Sequence, residues 1–588
     1  MSPDFVQEPP ELHNQYDRDR VLKSYVRRQF PESVLKTIEP ELSDLGEKAG
    51  GELYDLQKKD LGKEPTLTRW GPWGDRVDQI EVTDVWKRAE QLAAERGIVA
   101  TAYEQEHGAH SRVHQMLLAY LFIPSTDMYG CPLAMTDGAA RTLLDSGNEA
   151  LADEAVPHLT SRDPETFWTS GQWMTELSGG SDVGRAHTTA RQDDDGTWRL
   201  YGRKWFTSAI TANMALALAR PDGNPDGGNG LALFYVPIRD GNGLRDGIHV
   251  NRLKDKMGTR KLPTAELALD GAAARPVSEL QNGTRHIAPM LNVTRTWNAV
   301  TATALIRRGL ALARDYAQKR VAFGDEIINH PLHQETLADV QATLEGTFHL
   351  SFRLAELLGA QETGQADATE AALMRLLTPV VKLTTAKRAV SATSELLEAF
   401  GGAGYVEDTG LPALHRDAQV LPIWEGTTNV LALDLLRALK TVGSIAPLNR
   451  EVRRCVEAIE APTLTEAVRP AIHAYRDAAQ WLKQAINDGD DAMQAGARRF
   501  ALTIGHTLEL LYTARHAQWS LHAEQDGRSA EAAQRLAARQ INHIADLDSH
   551  GAYVLVWDFN CPTLFDCHAQ GDGATTEEPE LDSLTDVM

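Results

Sequence analysis

Cysteine is nearly absent from this chain. Four residues, Cys131, Cys455, Cys561 and Cys567, are scattered through 588 positions. So few thiols, so spaced, exclude a disulfide scaffold and fit a reducing cytoplasm, the compartment expected for the protein. Cys561 and Cys567 stand near His568, but the spacing is not a zinc pattern and no second pair exists. Free thiols, and no metal, are the expectation. Long apolar runs are missing too. No stretch of about 18 apolar residues occurs, so no membrane span or membrane partner is expected. Met1-Ser2-Pro3-Asp4-Phe5 has neither the basic start nor the apolar core of a secretory signal. Positive charge is short: 59 basic residues face 82 acidic ones, a formal net charge of −23, and only 16 of the 59 are lysine. A surface of that sign repels phosphate backbones, so no nucleic-acid partner is expected.

What is present is the composition of an ordinary globular protein, too long for one core. A hydrophobic content of 42% and a charged content of 24% are typical, and 588 residues imply three or four domains. Residues 1–70 are rich in Pro, Glu, Asp and Lys, with helical stretches around Val21 to Phe30. From Val85 to Leu159 apolar residues recur at helical spacing, as in His114, Leu117, Leu118 and Leu121. The pattern changes near Phe167. Thr188 to Gln192 and Trp198 to Gly202 read as strands around an Asp193-Asp194-Asp195-Gly196 turn, and Leu231 to Val236 and Ala265 to Leu269 as further strands. Helical periodicity returns over Ala302 to Lys319, Leu332 to Leu358 and Ala371 to Phe400, the last stopping at Gly401-Gly402. Beyond Pro447, three more helical stretches follow, over 465–484, 491–516 and 529–544. Residues 571–588 are acidic and rich in Gly and Thr, as in a disordered tail.

The expected fold is therefore mainly α with a central β-barrel. A helical N-terminal domain with its extension spans 1–165, and a small antiparallel β domain spans 166–285. A helical bundle spans 286–445 and additional helices span 446–570, before the tail. Alternating βαβ units are absent, so a doubly wound nucleotide fold is disfavoured.

The residues most suggestive of chemistry are Leu421-Pro422-Ile423-Trp424-Glu425-Gly426-Thr427-Thr428-Asn429. A carboxylate beside a tight glycine turn can be aimed into a pocket as a base. Phe400-Gly401-Gly402-Ala403-Gly404-Tyr405, upstream, lets backbone amides approach a phosphate or a flat ring, or simply caps a helix. Two further segments stand out: Met174-Thr175-Glu176-Leu177-Ser178-Gly179-Gly180-Ser181-Asp182-Val183 and Lys204-Trp205-Phe206-Thr207-Ser208. A fourth is Arg320-Val321-Ala322-Phe323-Gly324. Taken alone, Trp205 suits a buried strand tryptophan and Arg320 a solvated helix charge.

Together, and in this order, the segments resemble the signatures of the acyl-CoA dehydrogenase flavoproteins over about residues 85–440. Arg252-Leu253-Lys254-Asp255-Lys256-Met257-Gly258 and Cys131-Pro132-Leu133-Ala134-Met135-Thr136 narrow the resemblance to the AidB-like branch, which also has a helical extension after the core. The resemblance implies FAD, with Trp205 packed on its ring. Met174, Thr175, Phe206, Thr207 and Ser208 lie along the ring and its polar edge, and Ser181 near the pyrophosphate. It implies further cofactor contacts from Gly401, Gly402, Trp424, Gly426, Thr427 and Asn429. Arg320 is expected on the FAD diphosphate of a neighbouring subunit, with Phe323 and Gln334 beside the adenine, because an arginine fork matches phosphate oxygens. A homo-oligomer follows, usually a tetramer in the family. Arg295 is expected to face the CoA portion of the substrate. Glu425 is the implied base: it removes the α-proton of an acyl-CoA thioester while the β-hydride passes to flavin N5. Electrons then leave to an electron-transfer flavoprotein or another acceptor.

Two alternatives accompany that expectation. One is an oxidase, in which reduced flavin reacts with oxygen. The other is an AidB-like flavoprotein that associates with DNA or binds acyl chains in regulation, with little turnover. Duplex binding requires a positive surface, yet residues 446–588 are net negative and no Lys or Arg follows Gly571. The protein should give no salt-dependent gel shift with duplex DNA at moderate ionic strength; a shift that weakens as salt rises would overturn this expectation.

Overall fold

The computed structural model describes residues 6–240 and 243–545, together with 547, 552, 555 and 556. The Cys561, Cys567 and His568 group and the acidic 571–588 segment lie outside the described residues.

Buried polar side chains start and join the helices. Asp19 caps the first helix, Arg20–Gln29, by accepting from the Leu22 amide at 3.0 Å. Its second oxygen accepts from Tyr120 Oη at 2.8 Å and Arg307 Nε at 2.9 Å, so one carboxylate ties three helices together. Asp367 and Glu370 form a reciprocal capping box at the start of Ala368–Glu398. That helix, Ala288–Lys319 and Pro331–Glu362 are the long members of the bundle. A hairpin of strands Thr66–Trp70 and Arg76–Glu81 interrupts the N-terminal helices. Its alternation is mostly polar, which hid it in the sequence.

The middle region is a seven-stranded sheet, five strands of which close a ring. Trp198–Ser208 pairs with Thr189–Gln192 and with Thr264–Pro276. Ala232–Pro237 joins Thr264–Pro276 to Met214–Pro221, which in turn meets Thr189–Gln192. Most pairs are antiparallel, as expected. Two short ones, Ser170–Trp173 and Thr189–Gln192 against Met214–Pro221, run parallel. Met214–Pro221 is buried almost throughout, so it lacks the polar alternation that marks a half-exposed strand.

Two apolar cores result. One fills the β ring, around Trp173, Leu200, Phe234 and Leu267. The other is continuous from the N-terminal helices through the bundle and into the helices after residue 446. The helical pair Arg469–Asp488 and Asp490–Ala523 turns at Gly489, at φ 102, and packs back on the bundle. Arg388 donates to the buried Glu509 at 2.9 Å, and Arg353 donates to the buried Glu451 at 2.9 Å. Burial alone would raise the Glu451 carboxyl, but Arg454 and Arg353 outweigh it and lower it to about 2.

A carboxyl held below its ordinary 4.5 contributes stability above that value and loses it as pH falls toward 2. Glu451→Gln should destabilise the protein by about 3 kcal/mol, because it removes a buried carboxylate from the half-buried Arg353 and from Arg454. Urea denaturation at pH 7 checks the loss. Between pH 4.5 and 2 the gap between wild type and variant should narrow.

Candidate active site

The segment around Glu425 is a turn between the helix Leu411–Ala418 and the helix Thr428–Val442. Thr427 caps the second helix through its side chain. Glu425 has φ 56 and Gly426 φ 101, two left-handed residues in succession. For glycine this is free; for glutamate it costs about 1–3 kcal/mol and persists only where surroundings enforce it. Lys382, wholly buried on Ala368–Glu398, donates to the Trp424 carbonyl at 2.6 Å and the Gly426 carbonyl at 2.7 Å. Arg295, on Ala288–Lys319, donates from Nε to the Glu425 carbonyl at 3.2 Å, and Asp434 holds its Nη1 at 2.7 Å. The Trp424 indole N–H donates to Asn298 Oδ1.

These bonds deliver the Glu425 side chain to a cavity of about 560 Å³ between the bundle and the β ring. Thr294 Oγ1 donates to Glu425 Oε2 at 2.7 Å. Ile123, Met128, Ala134, Met135, Ile287 and Leu291 give the cavity apolar walls. Burial pushes the Cys131 thiol, on the same wall, up to about 12, so it offers no thiolate at neutral pH.

Of the residues singled out in the sequence, Met174, Thr175 and Ser181 line this cavity. So do Phe206, Ser208, Arg295, Trp424, Gly426 and Thr427. Strand alternation gives Phe206 and Ser208 one face of Trp198–Ser208. Thr207, on the other face, is buried and donates to the Ala265 carbonyl at 2.8 Å; the strand bulges between Lys204 and Thr207, and Lys254 Nζ lies 3.6 Å from the Trp205 ring centroid and 4.5 Å from that of Phe206. Gly401 and Gly402 form an open turn after the Ala368–Glu398 helix, where an added Cβ would meet nothing within 4 Å. Asn429 Oδ1 accepts from Arg498 at 3.2 Å. Arg320 ends the Ala288–Lys319 helix and donates to Gln7 Oε1 at 3.2 Å. Phe323 stands 99% exposed on the neighbouring hairpin, and Gln334 donates to the Ile328 carbonyl at 3.0 Å.

Three supports escaped the sequence reading. Thr294 is an ordinary threonine in a long helix and carries no signal. Lys382 does carry one: it is a lone lysine in the apolar run Val380-Val381-Lys382-Leu383, in a lysine-poor chain. Glu176 lay inside a quoted motif without a role. The structure buries it and gives its carboxylate Lys204 Nζ at 2.8 Å, Thr188 Oγ1 at 2.6 Å and the His187 amide at 2.6 Å. Burial raises that carboxyl, but Lys204 and these donors hold it below the usual carboxylate range. The pair fastens the Met174–Ser181 loop to the strand that carries Phe206 and Ser208.

Comparison with known proteins agrees with this geometry. Residues 281–440 match the acyl-CoA dehydrogenase C-terminal domain, residues 171–272 the acyl-CoA dehydrogenase middle domain, and residues 7–165 the adaptive response protein AidB N-terminal domain. Acyl-CoA dehydrogenase family member 11 of Caenorhabditis elegans is 43% identical over 524 residues, 85% of this chain and 84% of that protein. The chain belongs to the acyl-CoA dehydrogenase family. Within the family it is also similar to the putative acyl-CoA dehydrogenase AidB of Escherichia coli, 32% identical over 70% of this chain and 76% of that one. The crystal structure of Caenorhabditis elegans ACDH-11 in complex with C11-CoA superposes with a TM-score of 0.90 at 40% identity, covering 95% of this chain and 97% of that one. A Bacillus anthracis acyl-CoA dehydrogenase complexed with FAD has the same fold, with a TM-score of 0.69 at 18% identity. The family fold and the AidB-like branch expected from the motifs are both present.

Glu176→Gln removes the anion from a buried pair and leaves Lys204 uncompensated. It should lower stability by about 3 kcal/mol, measured by urea denaturation. A variant as stable as wild type would show that Glu176 does not fasten the loop.

Proposed function

We propose that the protein is an FAD-dependent acyl-CoA dehydrogenase in which Glu425 abstracts the α-proton of an acyl thioester. One observation carries this reading. The Glu425 carboxylate enters an apolar-walled cavity from a strained turn, while the amides of Glu425 and Gly426 donate to no protein acceptor among the described residues. Those amides can donate to a thioester carbonyl and stabilise the enolate-like charge that proton removal creates. The Thr294 hydroxyl orients one carboxylate oxygen and leaves the other for the proton. The apolar walls exclude water from the reacting carbons and suit an acyl chain. The exposed Arg437, on the same cavity, suits the phosphates of CoA. ACDH-11 in complex with C11-CoA supports the same substrate class.

The donor set fits a flavin. Met174, Phe206 and Trp424 offer flat or flexible apolar surface, and Thr175, Ser181, Ser208 and Thr427 offer hydroxyls on the same cavity. The loop that carries Thr175 and Ser181 is tight: a Cβ on Gly180 would come within 2.6 Å of Thr175 Oγ1. When bound, FAD supplies the acceptor for the β-hydride. Met174, Phe206 and Trp424 would hold its ring, with Trp205 and Thr207 flanking Phe206 on its strand, and Gly401, Gly402 and Asn429 would approach it from the bundle. Phe323 suits a homo-oligomer, proposed as a tetramer from the family resemblance. Its φ of 54 is strained and its ring is 99% exposed, an arrangement that suits Arg320, Phe323 and Gln334 serving a neighbouring subunit's FAD. An electron-transfer flavoprotein is the proposed acceptor.

The test is anaerobic titration of the yellow protein with acyl-CoAs of graded length. One length should bleach the flavin band. Glu425→Gln should retain FAD and slow the bleaching by about 10²–10⁴-fold; unimpaired bleaching removes Glu425 as the base. Peroxide yield in air, set against reduction of an artificial acceptor, separates oxidase from dehydrogenase.

A further inference from the structure

We propose that Lys382 is a positioning residue for proton abstraction: its Nζ grips the carbonyls on both sides of Glu425 and so aims the base into the cavity. The inference rests on Glu425 acting as that base. Three consecutive carbonyls, of Trp424, Glu425 and Gly426, each accept from a buried or half-buried cation. The cations come from two different helices, so the turn is held at three points against two rigid bodies. Arg295 is compensated by Asp434 at 2.7 Å, which gives it an evident structural partner. Lys382 has no carboxylate within ion-pair distance among the described residues, although it is wholly buried. Burying an amine that lacks a counter-ion is costly, and burial pushes this one down to about 7, with the nearby Glu425 carboxylate opposing the shift.

An apolar side chain of the same length would fill the space without that cost, but it would leave the Trp424 and Gly426 carbonyls without a donor. What only a donor can do there is bind two carbonyls 2.6 and 2.7 Å away and keep a non-glycine residue at φ 56. Released from that grip, Glu425 can relax toward ordinary backbone angles. Its carboxylate and its amide then both leave the places that the thioester needs. A displacement of about 1 Å at a reacting group costs on the order of 10²-fold in rate. Lys382 touches neither the substrate nor the reacting atoms in this scheme; it acts through Glu425.

The experiment uses the FAD-loaded protein and the acyl-CoA that bleaches wild type. Lys382→Met keeps the stem and removes the donor. Bleaching at saturating acyl-CoA should slow by about 10–100-fold, with bound FAD per chain retained and the half-saturating acyl-CoA concentration changed by less than about threefold. An acyl-CoA with sulfur in place of the β-carbon can lose its α-proton but cannot give up a hydride. The long-wavelength band that its anion forms against the flavin in wild type should be weakened in the variant. A saturated rate within about threefold of wild type, or slowing that only tracks lost FAD, overturns the proposal. If Lys382→Met does not fold, Lys382→Gln, which is shorter and reaches at most one carbonyl, is judged by the same limits. Failure of wild type to bleach with any acyl-CoA sinks the proposed function itself. Wild-type bleaching that Glu425→Gln abolishes and Lys382→Met preserves sinks only the positioning role.

Discussion

The site depends on backbone carbonyls being held by the amine and guanidinium donors of Lys382 and Arg295. A turn with two successive left-handed residues, one of them glutamate, is not stable by its own dihedral preferences. Lys382 and Arg295 supply the counter-force, and each is delivered by a helix of more than 30 residues packed in the main core. Glu425 is therefore held as firmly as the bundle beneath it, although it sits in a connecting segment. Functional groups on loops acquire precision in this way, from scaffold contacts rather than from local propensity.

A second buried ion pair does the same for the opposite wall. Glu176 and Lys204 lie between the Met174–Ser181 loop and the β ring, with Thr188 and the His187 amide completing the carboxylate's bonds. Neither partner is exposed enough for solvent to replace the other. The cavity is thus bounded by one wall fastened to the helical core and one fastened to the β core. The helices after residue 446 add to the first. They share its apolar interior, and Glu451 and Glu509 reach back to Arg353 and Arg388.

Much of this was readable in the chain. The long bundle helices and the strand pair around Asp193–Gly196 declared themselves by apolar period and turn chemistry. The strand Met214–Pro221 and the hairpin at 66–81 did not, because one is buried on both faces and the other is largely exposed, so neither alternates in the informative way. Of the residues that line the cavity, Glu425, Trp424 and Thr427 stand in one sequence motif, and Met174, Thr175, Ser181, Phe206 and Ser208 in two others. Arg295, which the family resemblance turns toward CoA, lines the same cavity, with its Nε on the Glu425 carbonyl and its Nη1 on Asp434.

The sequence by itself determined the family, the order of helical and β regions, and the identity of the carboxylate at the turn. These are properties of residue types at short spacing, where apolar period, glycine placement and motif order carry the information. Only the tertiary structure decided which buried groups hold that carboxylate. Lys382 is 43 residues from Glu425, Thr294 is 131, and Lys204 is 28 from Glu176. No local pattern encodes such pairs, because they exist only where separate helices and strands pack, and where a buried charge or carbonyl must find its partner or remain unsatisfied.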